Sequence, residues 1–278
     1  MTEHRVYIHD GGGSGDIPAN QFRCFKGWGH VEAFKQKFPN SKLRVIITSC
    51  SREGAKYIKY NPYIDEIIEL PWANPNKPWK ELPKHTVGYK PLAQVAKELL
   101  PDIQGKIPPV YLSDNDKIIT KEIINEGEYV FIHPFAGTPE RMPFPIKEYP
   151  ALIDRLIDEL KYNVVVIGAT YLQKANQGKP DTIHKEELNY YRPGLFNLID
   201  KANMRIGIYL ALHANRWIGT WSCYVWPGYT KNQRMALFLP VRNYGSVINK
   251  TQQKIIRISN NSKDFSVFAD QAIEHLKG

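Results

Sequence analysis

Arg5-Val6-Tyr7-Ile8-His9-Asp10-Gly11-Gly12-Gly13-Ser14-Gly15-Asp16-Ile17-Pro18 decides the fold class. A short β-branched and aromatic run feeds a glycine-dense turn that ends in one carboxylate, just before a segment of helical character. Glycine accepts positive φ and lets backbone approach a ligand closely. A turn of this kind after a first strand lies where open α/β sheets bind ligands, beyond the carboxyl ends of their strands. The opening therefore reads as an active-site loop.

Working outward, the chain alternates strand and helix. Val6 to His9 is a strand, Gln21 to Phe38 a helix stopped at Pro39-Asn40, and Leu43 to Thr48 a second strand. Glu53 to Tyr60 reads as a short helix and Asp65 to Leu70 as a third strand. Pro71 to His85 is a loop, and Lys90 to Leu100 a helix stopped by Pro101. Asp114 to Asn125 is a helix that leads into a second half of the same plan. There Tyr129 to His133 is a strand, followed by the turn Pro134-Phe135-Ala136-Gly137-Thr138-Pro139. A helix over Lys147 to Leu160 carries Tyr149, Leu152, Ile153, Leu156, Ile157 and Leu160 on one face, and Asn163 to Ile167 is an almost wholly apolar strand. Met204 to His213 is a helix, Trp217 to Gly219 a strand, Thr220 to Cys223 a turn, Met235 to Leu239 a strand, and Phe265 to Leu276 the last helix. Alternation of this kind implies parallel sheets. The predicted fold is α/β, two Rossmann-like, doubly wound parallel-sheet domains facing a cleft.

The chain has 278 residues, enough for two modest domains with real cores. No run approaches the roughly 20 apolar residues needed to cross a bilayer, and the N-terminal region does not read as a secretory signal. Cys24, Cys50 and Cys223 are scattered and form no CxxC pair, which argues against a disulfide framework or zinc site and for the cytosol. The formal charge is +9. It fits either an ordinary lysine-rich protein or attraction to phosphates, as in a nucleotide or an anionic lipid surface. The lysines form no compact block and no nucleic-acid motif is present, so nucleic acid is not expected as a partner.

Familiar glycine-loop chemistries fail on inspection. A dinucleotide fingerprint, G-x-G-x-x-G, would need glycine where Asp16 or Pro18 stands. No loop ends in Gly-Lys-Ser/Thr, and Gly12-Gly13-Ser14-Gly15-Asp16 misses the nucleophile elbow at its last residue. What remains is one carboxylate on a glycine loop. Asp16 can cap the following helix, the commoner reason for Asp at such a place, or act as a general base toward a hydroxyl. Asp114-Asn115-Asp116 matches the Asp-x-Asp pattern that holds a divalent metal and a donor diphosphate in one class of sugar transferases. It also follows Ser113 directly before an amphipathic helix, and the cap is the favoured reading. His133 is either a satisfied polar residue at a sheet edge or a group close to bound phosphate, and Cys223 reads as an unreactive small residue.

Three blocks of the first half, Gly15-Asp16-Ile17, Phe38-Pro39 and Asn61-Pro62-Tyr63-Ile64-Asp65-Glu66-Ile67-Ile68, stand in order with three of the second. These are Val130-Phe131-Ile132-His133-Pro134-Phe135-Ala136-Gly137-Thr138, Phe144-Pro145 and Val164-Val165-Val166-Ile167-Gly168. Together they resemble family 9 glycosyltransferases, the heptosyltransferases of lipopolysaccharide biosynthesis. The resemblance implies a GT-B fold, with residues 1–125 as the acceptor-side domain and 126–278 as the nucleotide-sugar domain, the last helix free to pack back on the first. It implies inverting transfer from a nucleotide-sugar co-substrate to a saccharide or glycolipid, with no metal and no other cofactor. The place of work would be the cytoplasm or the inner membrane face, in peripheral contact with anionic lipid. Asp16 falls on the family's general base, within an acceptor-side loop of Gly12, Gly13, Ser14 and Gly15. The donor side would comprise His133, Ala136, Gly137, Thr138, Arg141, Gly168, Thr220, Ser222 and Cys223.

The chain departs from that pattern in one loop, at three positions, with Trp221, Cys223 and Trp226 standing for the family's aspartate, glycine and histidine. The family's second donor loop runs Gly-x-Asp-Ser/Thr-Gly-x-x-His, and here it reads Gly219-Thr220-Trp221-Ser222-Cys223-Tyr224-Val225-Trp226. An indole nitrogen only donates, so Trp221 cannot replace the acceptor function of an Asp. The resemblance therefore does not extend to ADP-heptose as donor. Two alternatives stay open: a non-catalytic nucleotide- or glycan-binding member of the fold, and a nucleotide-sugar epimerase.

Overall fold

The computed structural model describes residues 3–8, 28–47, 56–69, 88–103, 109–136, 141–173, 180–182, 188–241, 252–259 and 261–277. They divide into two compact units, the first of residues up to Tyr111 together with Gln173, the second of the remainder from Leu112 on.

The first unit holds a parallel four-stranded sheet of β1 (Glu3–Ile8), β2 (Lys42–Ile47), β3 (Glu66–Glu69) and β4 (Lys90–Pro91) in the order β3-β2-β1-β4. Val6 pairs with Val45 on one side and Lys90 on the other, so β1 is interior. A 3-10 turn at Trp28–His30 runs into α1 (Val31–Lys37), which buries Val31 and Phe34 and ends at Phe38. Pro39 disfavours helical backbone at the residue before it. Likewise α2 (Leu92–Leu99) ends at Leu100, ahead of Pro101. The sequence reading extended this second helix back to Lys90, but Lys90 and Pro91 form β4 instead.

The second unit holds β5 (Tyr129–His133), β6 (Asn163–Val166), β9 (Leu195–Asn197), β10 (Arg216–Gly219), β11 (Arg234–Pro240) and β12 (Gln253–Ile258). All neighbours are parallel, in the order β12-β11-β10-β5-β6-β9. A separate pair joins β7 (Tyr171–Gln173) and β8 (Pro180–Thr182). Helices cover both faces of the large sheet. Val130, Ile132, Val164, Val166, Ile218 and Phe238 point toward α4 (Tyr149–Asp158) and α7 (Ser266–Lys277). Tyr129, Phe131, Val165, Trp217 and Leu237 point toward α3 (Asp114–Asn125), α5 (Met204–His213) and the short α6 (Val225–Thr230). Burial on both faces explains why these strands read as continuous apolar runs.

Packing places two helices in the second unit. The helix α3 belongs to it, with Asp116 paired to Arg205 of α5 at 2.9 Å. The last helix, α7, lies on its own unit, with Ala269, Ala272, Ile273 and Leu276 buried in the core that covers β11 and β12.

Candidate functional site

The strand order of the second unit locates its site. From β5 the chain adds β6 and then β9 on one side. It then crosses back to add β10, β11 and β12 on the other. Ligands of open α/β sheets bind beyond the carboxyl ends of the strands where the winding reverses, here β5 and β10. At that point His133 stands opposite Gly219, each the last residue of its strand.

The two strand ends are tied together. Thr220 N–H donates to the His133 carbonyl at 3.1 Å. The Thr220 hydroxyl donates to the carbonyl of Arg141, which pins the end of the β5 loop while the arginine side chain stays exposed. Thr220 itself is fully buried. Gly219 has φ +150°, and a Cβ there would lie 2.1 Å from the His133 carbonyl oxygen, so no other residue fits. Gly168, just past β6, meets Phe135, whose Cδ2 would be 2.1 Å from an added Cβ. Thus five predicted donor-side residues, His133, Ala136, Arg141, Gly168 and Thr220, share the carboxyl edge of one sheet. Ser222 shapes the next turn, its hydroxyl accepting from Tyr224 N–H at 3.3 Å, and Cys223 is half-buried with its carbonyl accepting from Trp226 N–H. Gly137 and Thr138 lie outside the described residues, as do Asp16 and Gly12, Gly13, Ser14 and Gly15 of the opening loop.

The strand that ends in His133 is interior to a six-stranded sheet, and the residue is 6 % exposed. The Tyr224 ring lies 4.6 Å from the imidazole, centroid to centroid. Trp221 is half-buried and meets Trp226 edge to face at 5.5 Å.

The Asp-x-Asp pair is a cap. Ser113 accepts from Asp116 N–H, and the Asp116 carboxylate accepts from Ser113 N–H, both at 3.1 Å. Asn203 at 2.7 Å and Arg205 at 2.9 Å also donate to that carboxylate. Burial pushes the Asp116 pKa up, but these bonds outweigh it and hold the group below its ordinary range. Asp114 points into solvent beside Lys117 at 2.8 Å. The two carboxylates do not converge on one ion. Among the described residues no group of three or more His, Cys, Asp or Glu is placed to hold a metal.

Three features of this edge escaped the sequence reading. Asp200, in left-handed backbone at φ 56°, accepts from Thr170 N–H at 2.8 Å and from the Thr170 hydroxyl at 2.5 Å. Its own N–H donates to the Gly168 carbonyl at 3.0 Å, which closes the loop after β6. The other two are Tyr224 and its seat at Gly207. An Asp just after a strand was a usable signal for the first; the others depend on contacts distant in sequence.

No protein-family model and no curated protein matches the chain. Among solved structures it is similar to the E. coli ADP-heptose lipopolysaccharide heptosyltransferase II, at 12 % identity and TM-score 0.54, over 99 % of this chain and 98 % of that one. A family 9 glycosyl transferase from Veillonella parvula gives 12 % identity and TM-score 0.55, over 99 % and 96 %. The E. coli heptosyltransferase WaaC with ADP gives 10 % and 0.52, over 100 % and 99 %. At such identities the likeness is one of fold. The α/β class expected for a GT-B protein, two doubly wound parallel sheets, is the class observed. No helix among the described residues is long and apolar enough to cross a membrane.

Proposed function

We propose that this chain is a glycosyltransferase of the family 9 type, moving a sugar from a nucleotide-sugar donor to a saccharide or glycolipid acceptor with inversion. The reading is carried by one observation: the β5–β10 reversal, where buried Thr220 ties the His133 and Arg141 backbones together beneath a glycine-requiring strand end. The fold shared with solved heptosyltransferases supports it, one of them described with ADP.

In this reading the nucleotide diphosphate lies over the carboxyl ends of β5 and β10. The exposed Arg141 supplies positive charge and nearby backbone N–H groups supply donors, both favouring the charge that grows as the diphosphate departs. Asp16, eight residues past the end of interior strand β1, takes the proton of the acceptor hydroxyl as that oxygen attacks the anomeric carbon. The sugar–phosphate bond breaks as the new glycosidic bond forms on the opposite face. No metal or further cofactor is invoked, and contact with anionic membrane, if the acceptor is a glycolipid, draws on the +9 charge.

A thermal-shift screen against ADP-, UDP-, GDP- and CMP-sugars finds the donor, since a ligand bound only by the native state raises the melting temperature. Asp16→Asn then abolishes transfer while leaving donor binding intact. Transfer surviving within a few-fold would remove Asp16 from its role. A second reading, a binding protein without transferase activity, is favoured by Trp221 at a place where the family pattern has an acid. It predicts donor binding with neither transfer nor hydrolysis.

A further inference from the structure

We infer that Tyr224 is a positioning residue that holds the His133 imidazole at the nucleotide site, and that residue 207 is glycine to make room for it. The inference rests on the reading of the β5–β10 edge given above.

It begins with a local cost. Gly207 sits inside α5, whose neighbours Ile206, Ile208 and Leu210 are buried, and Gly in a helix interior is about 1 kcal/mol worse than Ala. Packing supplies the reason. A Cβ on residue 207 would stand 2.6 Å from Tyr224 Cε1, 2.8 Å from its hydroxyl oxygen and 3.0 Å from Cζ. The tyrosine ring therefore lies directly against the helix backbone.

The other surroundings of that ring are equally defined. Phe131, fully buried on β5 and stacked on Trp217 at 6.3 Å, approaches it at 5.8 Å. The Tyr224 backbone N–H donates to the Ser222 hydroxyl at 3.3 Å. The Tyr224 ring lies 4.6 Å from that of His133, with the planes inclined by 46°. The helix backing it is fixed in turn, since Asn203 caps α5 and both Asn203 and Arg205 bond Asp116 of α3. A rigid helix, a glycine gap and a buried phenylalanine thus fix one ring against the imidazole at the point where the sheet winding reverses. The glycine lets the ring lie close against α5, which fixes its distance from the imidazole.

The test uses Gly207→Ala, Tyr224→Phe, Tyr224→Leu, His133→Gln and the two doubles of Tyr224→Leu with Gly207→Ala and with His133→Gln. Melting temperature and the affinity for ADP, UDP, GDP and CMP are measured on the full chain across pH 5 to 9. Tyr224→Phe keeps wild-type affinity. Gly207→Ala and Tyr224→Leu each weaken the nucleotide that wild type binds about 2- to 10-fold, the range of an aromatic pair, and displace the pH midpoint of binding. The Gly207→Ala/Tyr224→Leu double regains the melting temperature lost by Gly207→Ala but not the affinity. Tyr224→Leu adds nothing in the His133→Gln background, because both act through one imidazole. If wild type binds a nucleotide and Tyr224→Leu binds it equally with an unchanged pH profile, or the double regains affinity, Tyr224 is packing alone and the inference is overturned. If wild type binds none of the four, the nucleotide-site reading itself fails and this inference with it.

Discussion

Replacing Gly219 by Ala separates two effects that usually come together, because the chain carries its own control. Gly127, just past the end of α3, has φ +104° and nothing within 4 Å of an added Cβ, so Ala there meets only the backbone preference. Positive φ costs a non-glycine residue about 1–2 kcal/mol. Gly219 adds a collision: its Cβ would lie 2.1 Å from the His133 carbonyl oxygen and 2.8 Å from the carbonyl carbon, where real contacts stay above 3.0 Å. Backbone must shift by about an ångström, which breaks the 3.1 Å bond from Thr220 N–H to that same oxygen. Losing a bond of this kind in a buried place costs about 1–3 kcal/mol more. Gly219→Ala therefore loses about 2–5 kcal/mol against about 1–2 for Gly127→Ala. At about 2–4 °C per kcal/mol this is a fall of roughly 4–20 °C against roughly 2–8 °C in melting temperature. Paired thermal and urea unfolding measures the difference. Only Gly219→Ala should also abolish the thermal shift given by a nucleotide. Equal destabilisation by the two variants would refute the close approach of β5 and β10.

Asp116→Ala leaves Arg205 buried without its carboxylate and removes the cap of α3, for a loss of about 3–5 kcal/mol by urea unfolding at pH 7. Because the folded-state pKa of Asp116 is lowered, its contribution is complete above the ordinary carboxylate pKa of about 4 and fades as pH falls through the lower folded value. The wild-type advantage should thus persist at pH 5 and shrink toward pH 2, and an advantage that does not change with pH would contradict the ion pair. Asp114→Ala, by contrast, touches only exposed Lys117 and leaves the melting temperature unchanged in a thermal scan. Trp221→Ala removes one edge-to-face partner of Trp226, about 0.5–1.5 kcal/mol of stability, and changes which nucleotide-sugar gives the largest thermal shift.

How far the sequence reveals this structure follows from what each element asks of it. The strands β5 and β6 are buried on both faces, so Val130 to Ile132 and Val164 to Val166 announce themselves as apolar runs. The edge strand β12 hides because Lys254 and exposed Arg257 interrupt its apolar residues, as edges commonly demand. β9 hides because it is three half-buried residues long, and β4 because one of its two residues is a proline. The cap of α3 is local, Ser113 and Asp116 being three residues apart, and was readable. The partner that buries Asp116, Arg205, is 89 residues away and was not. At the candidate site the same division holds. His133, Gly168 and Thr220 lie at or just past the ends of apolar strands and can be picked out by position, whereas the packing of Tyr224 against Gly207, Phe131 and His133 follows no spacing rule.

The construction of the β5–β10 edge also explains how the Gly219–Trp226 loop carries a tryptophan at position 221 without depending on it for its shape. The groups that set the turn are the Thr220 N–H and hydroxyl, the carbonyls of His133 and Arg141, and the missing Cβ of Gly219. The Trp221 side chain takes no part in those bonds, and is half-buried against Trp226 beside them. Position 221 is therefore able to vary while the turn stays in place. Residues 219 and 220 have no such freedom. Turn geometry and exposed surface thus reside in adjacent residues under different physical constraints, the first in internal hydrogen bonds and a missing Cβ, the second in one exchangeable side chain.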